Sequence, residues 1–341
     1  MGIDAGSLQV AISKRMSRVP VTLVTGFLGA GKTTLLNHIL LAETGRRFAV
    51  IENEFGDVGV DGGLLKSGCA ALFELNDGCI CCSVREDLIG VFEQLLARVD
   101  ELDHIIIETT GLAEPGPVLR VFDLPQIAPT FRLDGVVTVV DAAHIEASVD
   151  DVSACLEQIT YADVLILNKV DRVDSDKRDG LEAYLKGVNP LALIHQVTHA
   201  KVDVDALLSL GGSTSDTHTA SPSGHDHDHD HDHDHDHDET IRPVVVEVDG
   251  EVNVAALDVW LGQLARQTKT PLLRMKGVLA VPGDPRRFVF NGVRDVVDVR
   301  PGRPWGEESR FSRIVMIGRS LDSGALQAGF KACLVASTAT Q

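Results

Sequence analysis

Gly26-Phe27-Leu28-Gly29-Ala30-Gly31-Lys32-Thr33-Thr34 fits the pattern G-x-x-x-x-G-K-[ST]. The apolar run 21–24 precedes it, and Leu35-Leu36-Asn37-His38-Ile39-Leu40 follows it. The stretch therefore reads as strand, glycine loop and helix, the arrangement of a phosphate-binding P-loop. A phosphate tail needs many donors and no side chain in the way. Gly26, Gly29 and Gly31 let the backbone N–H groups, those of Ala30 and Thr34 among them, close around a phosphate. Lys32 reaches the β- and γ-oxygens of a nucleoside triphosphate, and the Thr33 hydroxyl holds Mg²⁺. The helix N-terminus adds roughly half a positive charge beneath the phosphates. A glycine turn that only packs a strand on a helix is the competing reading, and it leaves the Lys-Thr pair unexplained.

Downstream, Phe48-Ala49-Val50-Ile51 reads as a second strand running into Glu52-Asn53-Glu54-Phe55-Gly56-Asp57. That acidic loop is either a nucleotide-sensing switch with oxygen ligands for a metal, Glu52 and Asp57 among them, or a solvated turn. His104-Ile105-Ile106-Ile107 is another strand, ending in Glu108-Thr109-Thr110-Gly111. An acidic residue at such a strand end places Mg²⁺ through water, a role for Glu108. Gly111 can offer its N–H to the γ-phosphate and so sense hydrolysis. The run 135–141 is a further strand. Asp163-Val164-Leu165-Ile166-Leu167 leads into Asn168-Lys169-Val170-Asp171, an N-K-x-D element about 135 residues after the P-loop. The Asp171 carboxylate can accept from guanine N1–H and from the exocyclic amine, a donor pair that adenine lacks. A buried polar site of that kind rejects the wrong partner by roughly 10⁴-fold. Leu193-Ile194-His195-Gln196-Val197 is the last strand of this region, and the lone His195 and His199 are assigned structural or surface roles.

Asn76-Asp77-Gly78-Cys79-Ile80-Cys81-Cys82-Ser83 carries three of the chain's six cysteines. Val84, Leu88, Val91, Phe92, Leu95 and Leu96 recur at helical spacing behind it, and Ser83 with Glu86 forms a capping box. Cys79, Cys81 and Cys82 thus precede a helix N-terminus, where the dipole favours thiolates. Thiolates are ligands that Zn²⁺ and other soft or borderline ions prefer. Three ligands leave one position open, which suits a site that must release its ion. Buried free thiols or a redox pair are the alternative. Cys69, Cys155 and Cys333 stand alone and are assigned to the core.

The pattern breaks at 211–241. Gly, Ser and Thr lead into an unbroken His-Asp alternation from His225 through His227, His229, His231, His233, His235 and His237 to Asp238. It cannot form a core, so the expectation is an exposed linker. Seven imidazoles make it a multivalent metal-binding tract rather than a mere spacer.

The expected organisation follows. Residues 1–17 are a loose extension, with a short targeting role as the alternative. Residues 18–210 form an α/β domain with a mostly parallel sheet covered on both faces. Ligand loops then lie at the carboxyl ends of the strands, where each of these motifs falls. Residues 242–336 form a smaller α+β domain. Its strands are read at 244–248, 272–279, 287–291, 295–299 and 313–318, and its helices at 254–264 and 326–334. The 341 residues suffice for two such domains. A formal charge of −19 argues against nucleic-acid or membrane partners. No uninterrupted apolar run reaches membrane length, and the cysteine clustering suggests a reduced compartment, the cytoplasm.

Taken together, the P-loop, Glu52-Asn53-Glu54-Phe55-Gly56, Gly78-Cys79-Ile80-Cys81-Cys82, Glu108-Thr109-Thr110-Gly111 and Asn168-Lys169-Val170-Asp171 resemble the CobW family of P-loop GTPases. That family is related to the nickel-insertion GTPases of hydrogenase and urease. Arg274-Met275-Lys276-Gly277 and Ile317-Gly318-Arg319 extend the likeness into the second domain, so that it covers about residues 19–335. Thr110 departs from the family's usual Ser but keeps the hydroxyl. The resemblance implies hydrolysis of GTP with Mg²⁺, coupled to delivery of Zn²⁺, or Co²⁺ in some members, to a metal-requiring client protein. Cobalt delivery for cobalamin synthesis, and a metal buffer in which nucleotide only stabilises, are the alternatives. A small-molecule kinase is disfavoured by Asn168-Lys169-Val170-Asp171.

Overall fold

The computed structural model describes residues 18–42, 44–52, 69–74, 83–146, 149, 153–208, 210, 241–267, 272–293 and 296–335. They fall into two compact units, one within residues 1–213 and one within 214–341.

The first unit is built on a sheet of seven strands: β1 Val19–Thr25, β2 Phe48–Glu52, β3 Cys69–Glu74, β4 His104–Glu108, β5 Phe131–Asp141, β6 Val164–Asn168 and β7 Leu193–Gln196. Their order is β3-β2-β4-β1-β5-β6-β7, and every pairing is parallel. Parallel strands need crossovers, supplied by α1 Lys32–Leu41, α2 Ser83–Leu96, α3 Pro115–Leu119, α4 Ser153–Tyr161 and α5 Ser175–Val188. A four-residue helix, α6 Val204–Leu207, follows β7.

Both faces are covered, and the strands read as near-continuous apolar runs for that reason. Alternation divides each run between the faces. Val164 and Ile166 join Leu35, Leu36, Ile39 and Leu40 of α1 in one core. Leu165 and Leu167 join Cys155 and Ile159 of α4 and Leu181 and Leu185 of α5 in the other. Each such fully buried leucine contributes about 2–3 kcal/mol. Pro20 is tolerated in a central strand because it lies at the strand's start, before pairing with β4 begins at Val21. The central strand β1 delivers the chain directly into the glycine loop.

Two features were not expected from the sequence. The segment 69–74 forms β3, paired with β2, so Cys69 opens a strand. β5 begins at Phe131 rather than at Gly135. The extension 1–17 and the tract 211–240 lie outside the described residues.

The second unit is an antiparallel sheet of β8 Ile241–Asp249, β9 Leu272–Ala280, β10 Arg286–Val293, β11 Val296–Pro304 and β12 Phe311–Arg319, ordered β11-β10-β9-β12-β8. Two helices, α7 Val254–Gln267 and α8 Ser323–Lys331, supply Leu257, Leu326 and Phe330 to a core with Val246, Phe290, Ile314 and Met316.

Candidate functional site

The loops after β1, β4, β5 and β6 meet at the carboxyl edge of the first sheet. Gly26 has φ +137°, and a Cβ there would lie 2.2 Å from the Val139 carbonyl oxygen, so only glycine lets the loop leave β1 against β5. Gly31 caps α1 in the left-handed region, at φ +109°. No side chain accepts from the first turn, and no carboxylate lies in it. The dipole at this end therefore favours an anion. Ala30 is buried and gives its N–H to the Phe27 carbonyl at 3.2 Å. Lys32 is 5% exposed and folds over the loop, donating to the Phe27 carbonyl at 3.3 Å. Thr33 and Thr34 are exposed at the start of α1.

The Thr33 hydroxyl donates to Glu108 Oε1 at 2.9 Å. Glu108 is 5% exposed at the end of β4, and Glu52 lies beside it as its backbone partner on β2. Oxygen donors brought together at the mouth of the glycine loop have the chemistry that Mg²⁺ takes. Beyond Glu108, Thr109 ties the next loop to β1: its N–H reaches the Val24 carbonyl at 3.1 Å and its hydroxyl donates to that of Thr25 at 2.9 Å. Gly111 sits against the P-loop, where a Cβ would lie 2.6 Å from Leu28 N.

The N-K-x-D element is held to the P-loop by hydrogen bonds. Asn168 is 2% exposed, and its Nδ2 donates to the Ala30 carbonyl at 2.9 Å. Its Oδ1 accepts from the Ala200 N–H at 3.0 Å. Lys169, left-handed at φ 61°, donates to the Gly29 carbonyl and to Asp141 Oδ2, each at 2.7 Å. Asp171 lies in the short turn 170–172, exposed to solvent.

Three contributors carry no sequence motif. Asp141, at the end of β5, accepts from Lys169 and lies 3.0 Å from His144 Nδ1. Burial would raise its carboxyl, but hydrogen bonds from Lys169, His144 and the Ala143 N–H hold it below the ordinary value. Its position at a strand end was the available signal. Ala200 follows His199, and both have positive φ, a strained pair that presents the Ala200 N–H to Asn168. Gln158 of α4 is the third.

Glu52, Glu108, Gly111 and the P-loop are thus gathered at one edge with Asn168 and Lys169. His195 is half-buried on β7 and His199 is exposed. Cys155 and Cys333 are buried, and burial pushes the Cys155 thiol up to about 11, as suits inert core residues. Asp57, Cys79, Cys81, Cys82 and the histidines from His225 to His237 lie outside the described residues. Among the described residues no group of three or more His, Cys, Asp or Glu side chains could hold a metal ion.

Comparison with known proteins matches two families. Residues 20–196 match the family described as CobW/HypB/UreG, nucleotide-binding domain. Residues 241–334 match the cobalamin synthesis protein cobW C-terminal domain. The chain is 35% identical to the zinc chaperone YjiA of Escherichia coli, over 92% of this chain and 98% of that one. It is 39% identical to the zinc chaperone CobW of Pseudomonas aeruginosa, over 92% and 91%. The crystal structure of Zn(II)-bound YjiA GTPase from E. coli superposes with a TM-score of 0.69 at 30% identity, covering 93% of this chain and 99% of that one.

Proposed function

This chain belongs to the CobW/HypB/UreG family, and from that premise we propose that it is a GTP-dependent zinc chaperone, a GTPase that couples hydrolysis of GTP to transfer of Zn²⁺ to a metal-requiring client protein. The observation that carries the nucleotide half is the bonding of Asn168 and Lys169 to the Ala30 and Gly29 carbonyls. The base-reading and phosphate-binding loops are thereby one preorganised unit. Preorganised donors stabilise developing charge without reorganising during the reaction.

In this reading Asp171 accepts from the guanine edge, and Lys169, neutralised by Asp141, braces the P-loop. Gly29, Gly31 and Thr34 enclose the phosphates with backbone N–H groups. Lys32 swings from Phe27 onto the β- and γ-oxygens. Thr33 would hold Mg²⁺ directly and Glu108 would place it through water; the ion would supply positive charge to the transferring phosphoryl group. Gly111 meets the γ-phosphate and senses its loss.

Zinc is the cargo. Cys79, Cys81 and Cys82 bind it, with Glu52 or Asp57 as a further oxygen ligand. Their thiols must stay reduced, so we place the protein in the cytoplasm, acting on a protein client rather than on nucleic acid or membrane. No helix among the described residues is long and apolar enough to cross a membrane. The tract His225 to His237 collects ions and raises their concentration near the thiols.

Zinc affinity measured with GDP and with a non-hydrolysable GTP analogue tests the coupling. A difference of about 1–3 kcal/mol is expected, and zinc must then shift analogue affinity by the same factor. Equal zinc affinity in both states refutes the chaperone mechanism. Hydrolysis of ATP as fast as GTP refutes the guanine assignment. Deleting 225–238 should lower the number of ions bound and leave turnover at saturating zinc nearly unchanged.

A further inference from the structure

Gln158 lies on α4, 1% exposed, and belongs to none of the nucleotide motifs. Its Nε2 donates to the Gly111 carbonyl at 3.1 Å and to the Ala113 carbonyl at 3.0 Å. Carbonyls only accept, so these two contacts require the amide nitrogen on the loop side. The main-chain carbonyl of Gln158 accepts from the Thr138 hydroxyl at 2.7 Å, which ties this point of α4 to β5. The opposite flank of the loop is fixed by Thr109 on β1 and by the packing of Gly111 on Leu28. Gly111 is therefore gripped between the P-loop and α4.

The grip carries a cost. The amide oxygen of Gln158 is buried with no hydrogen-bond partner among the described residues. A buried acceptor without a donor is unfavourable; an apolar side chain of similar length would remove that acceptor but would leave the Gly111 and Ala113 carbonyls without this donor. The side chain also lines a small cavity with Phe27, Leu28, Cys155, Thr138, Asp141 and His144. What the amide provides in return is the orientation of the loop that carries Gly111.

We propose that Gln158 is a positioning residue for GTP hydrolysis: it holds the loop 109–115 so that Gly111 meets the γ-phosphate, and so sets how well the protein distinguishes GTP from GDP. This rests on the GTPase reading above. Gln158 touches no nucleotide. It acts through the Gly111 and Ala113 carbonyls.

The test uses the full chain, wild type beside Gln158→Met and Gln158→Glu, with titration of GDP and of a non-hydrolysable GTP analogue. Methionine keeps the length and removes the donor. For Gln158→Met we expect modestly lowered thermal stability, because the Gly111 and Ala113 carbonyls lose their donor, with GDP affinity within about twofold of wild type, and analogue affinity and kcat lower by on the order of tenfold, a typical coupling between linked sites. In Gln158→Glu an ionised carboxylate repels both carbonyls, whereas a protonated one donates to one of them. The turnover of Gln158→Glu relative to wild type should accordingly recover as pH is lowered, which a purely structural role would not produce. A folded Gln158→Met with wild-type kcat and wild-type preference for the analogue over GDP overturns the assignment. So does an equal loss of affinity for both nucleotides. Should neither variant fold, amide exchange in the wild type decides: residues 110–115 should exchange more slowly with the analogue than with GDP, and equal exchange overturns the proposal. A wild type that hydrolyses no GTP overturns the GTPase reading and this assignment with it. Wild-type turnover shared by both variants overturns only the role of Gln158.

Discussion

The two sheets keep their polar residues in different places. In the first, all strands run parallel with helices on both faces, so the strand bodies are mostly apolar, with Thr22, Arg132, Asp134 and Thr138 among the exceptions, and further polar groups collect where strands end. Thr25, Glu52, Glu108, Asp141 and Asn168 each close a strand at the same edge. In the second sheet polar residues are spread along the strands and pair with one another. Arg313 on β12 bonds Glu247 on β8, and Arg287 on β10 bonds Glu308 at 2.7 Å and lies over the Trp305 ring at 4.6 Å. The Arg303 and Arg287 guanidiniums hold the Glu308 carboxyl below the usual range. An antiparallel sheet with one face packed on helices leaves its other face to such pairs. The difference separates two kinds of charge: those converging on one edge can act on a ligand, and those neutralised in place can only adjust stability.

The largest effect expected from this contrast is on turnover. Lys32→Ala removes the cation folded over the glycine loop. Loss of one transition-state donor typically costs roughly 10²–10³ in rate. GTP hydrolysis should fall by that factor with the fold intact by circular dichroism. Arg286→Gln, which breaks the 2.8 Å pair with Asp284 in the second unit, should change turnover less than about twofold, as surface pairs contribute little. A comparable drop in both variants would break the division of labour between the sheets.

Glycines sharpen it. A Cβ at Gly26 would meet the Val139 carbonyl at 2.2 Å with φ at +137°, and one at Gly277 on β9 would meet the Arg313 carbonyl at 2.1 Å. Both backbones approach too closely for a side chain. Either alanine substitution should destabilise by roughly 3 kcal/mol or more, the range of severe steric defects. Only Gly26→Ala should abolish turnover in the fraction that remains folded. Gly29→Ala, with φ +72° but nothing within 4 Å, should destabilise by only about 1 kcal/mol. Thermal unfolding beside turnover measures all three.

A titratable group in the first sheet gives a smaller, pH-dependent effect. His104 opens β4, 1% exposed, with Nε2 2.8 Å from the Thr22 hydroxyl. Burial pushes its pKa down to about 4. The unfolded chain takes up the proton below about 6.5, whereas the folded chain does so only near 4. Stability is therefore complete above 6.5 and declines as pH falls towards 4, by on the order of 3 kcal/mol. Urea unfolding at pH 7 and pH 4.5 should show the loss, and His104→Gln should flatten it.

The P-loop is legible in the sequence because its chemistry is local: spacing, glycines and a flanking strand and helix suffice. Asn168-Lys169-Val170-Asp171 is legible for the same reason. The partners of these motifs are not. Asp141 meets Lys169 across 28 positions and Ala200 meets Asn168 across 32, contacts that exist only once the sheet is assembled. Gln158 reads as an ordinary helix residue until Gly111 and Ala113 stand beside it, more than 40 positions upstream. Segment 69–74 gives no strand signal because Cys69-Ala70-Ala71-Leu72 has little β-branched character, and its pairing with β2 decides its state. In β5, Arg132 and Asp134 interrupt the apolar run but bond to each other, which lets the strand begin at Phe131. The strands of the second unit stand where the apolar pattern puts them but run longer than it. β8, for instance, runs from Ile241 where the apolar pattern starts only at Val244, because antiparallel pairing with β12 carries it through Arg242 and Pro243.

The smallest effect is expected where the second sheet is most heavily charged. Glu247 on β8 accepts from Arg313 on β12, with the Glu247 side chain 41% exposed and that of Arg313 14% exposed. The two are direct cross-strand partners, so the register itself brings them together. Attraction between exposed charges is weakened by water and salt, and ordering two long side chains opposes it. The Arg313 guanidinium also lies over the Phe311 ring, 5.7 Å from its centroid, a contact that survives loss of the carboxylate. Glu247→Gln keeps the side-chain shape and an acceptor oxygen, so the hydrogen bond persists without its charge. Stability should fall by no more than about 1 kcal/mol at low salt and by less at 1 M salt, where the Debye length is about 3 Å. Turnover and zinc affinity should be unchanged. If Glu247→Gln instead alters zinc coupling, the charges of the second sheet take part in function, and the separation between converging and self-neutralised charges does not hold for this chain.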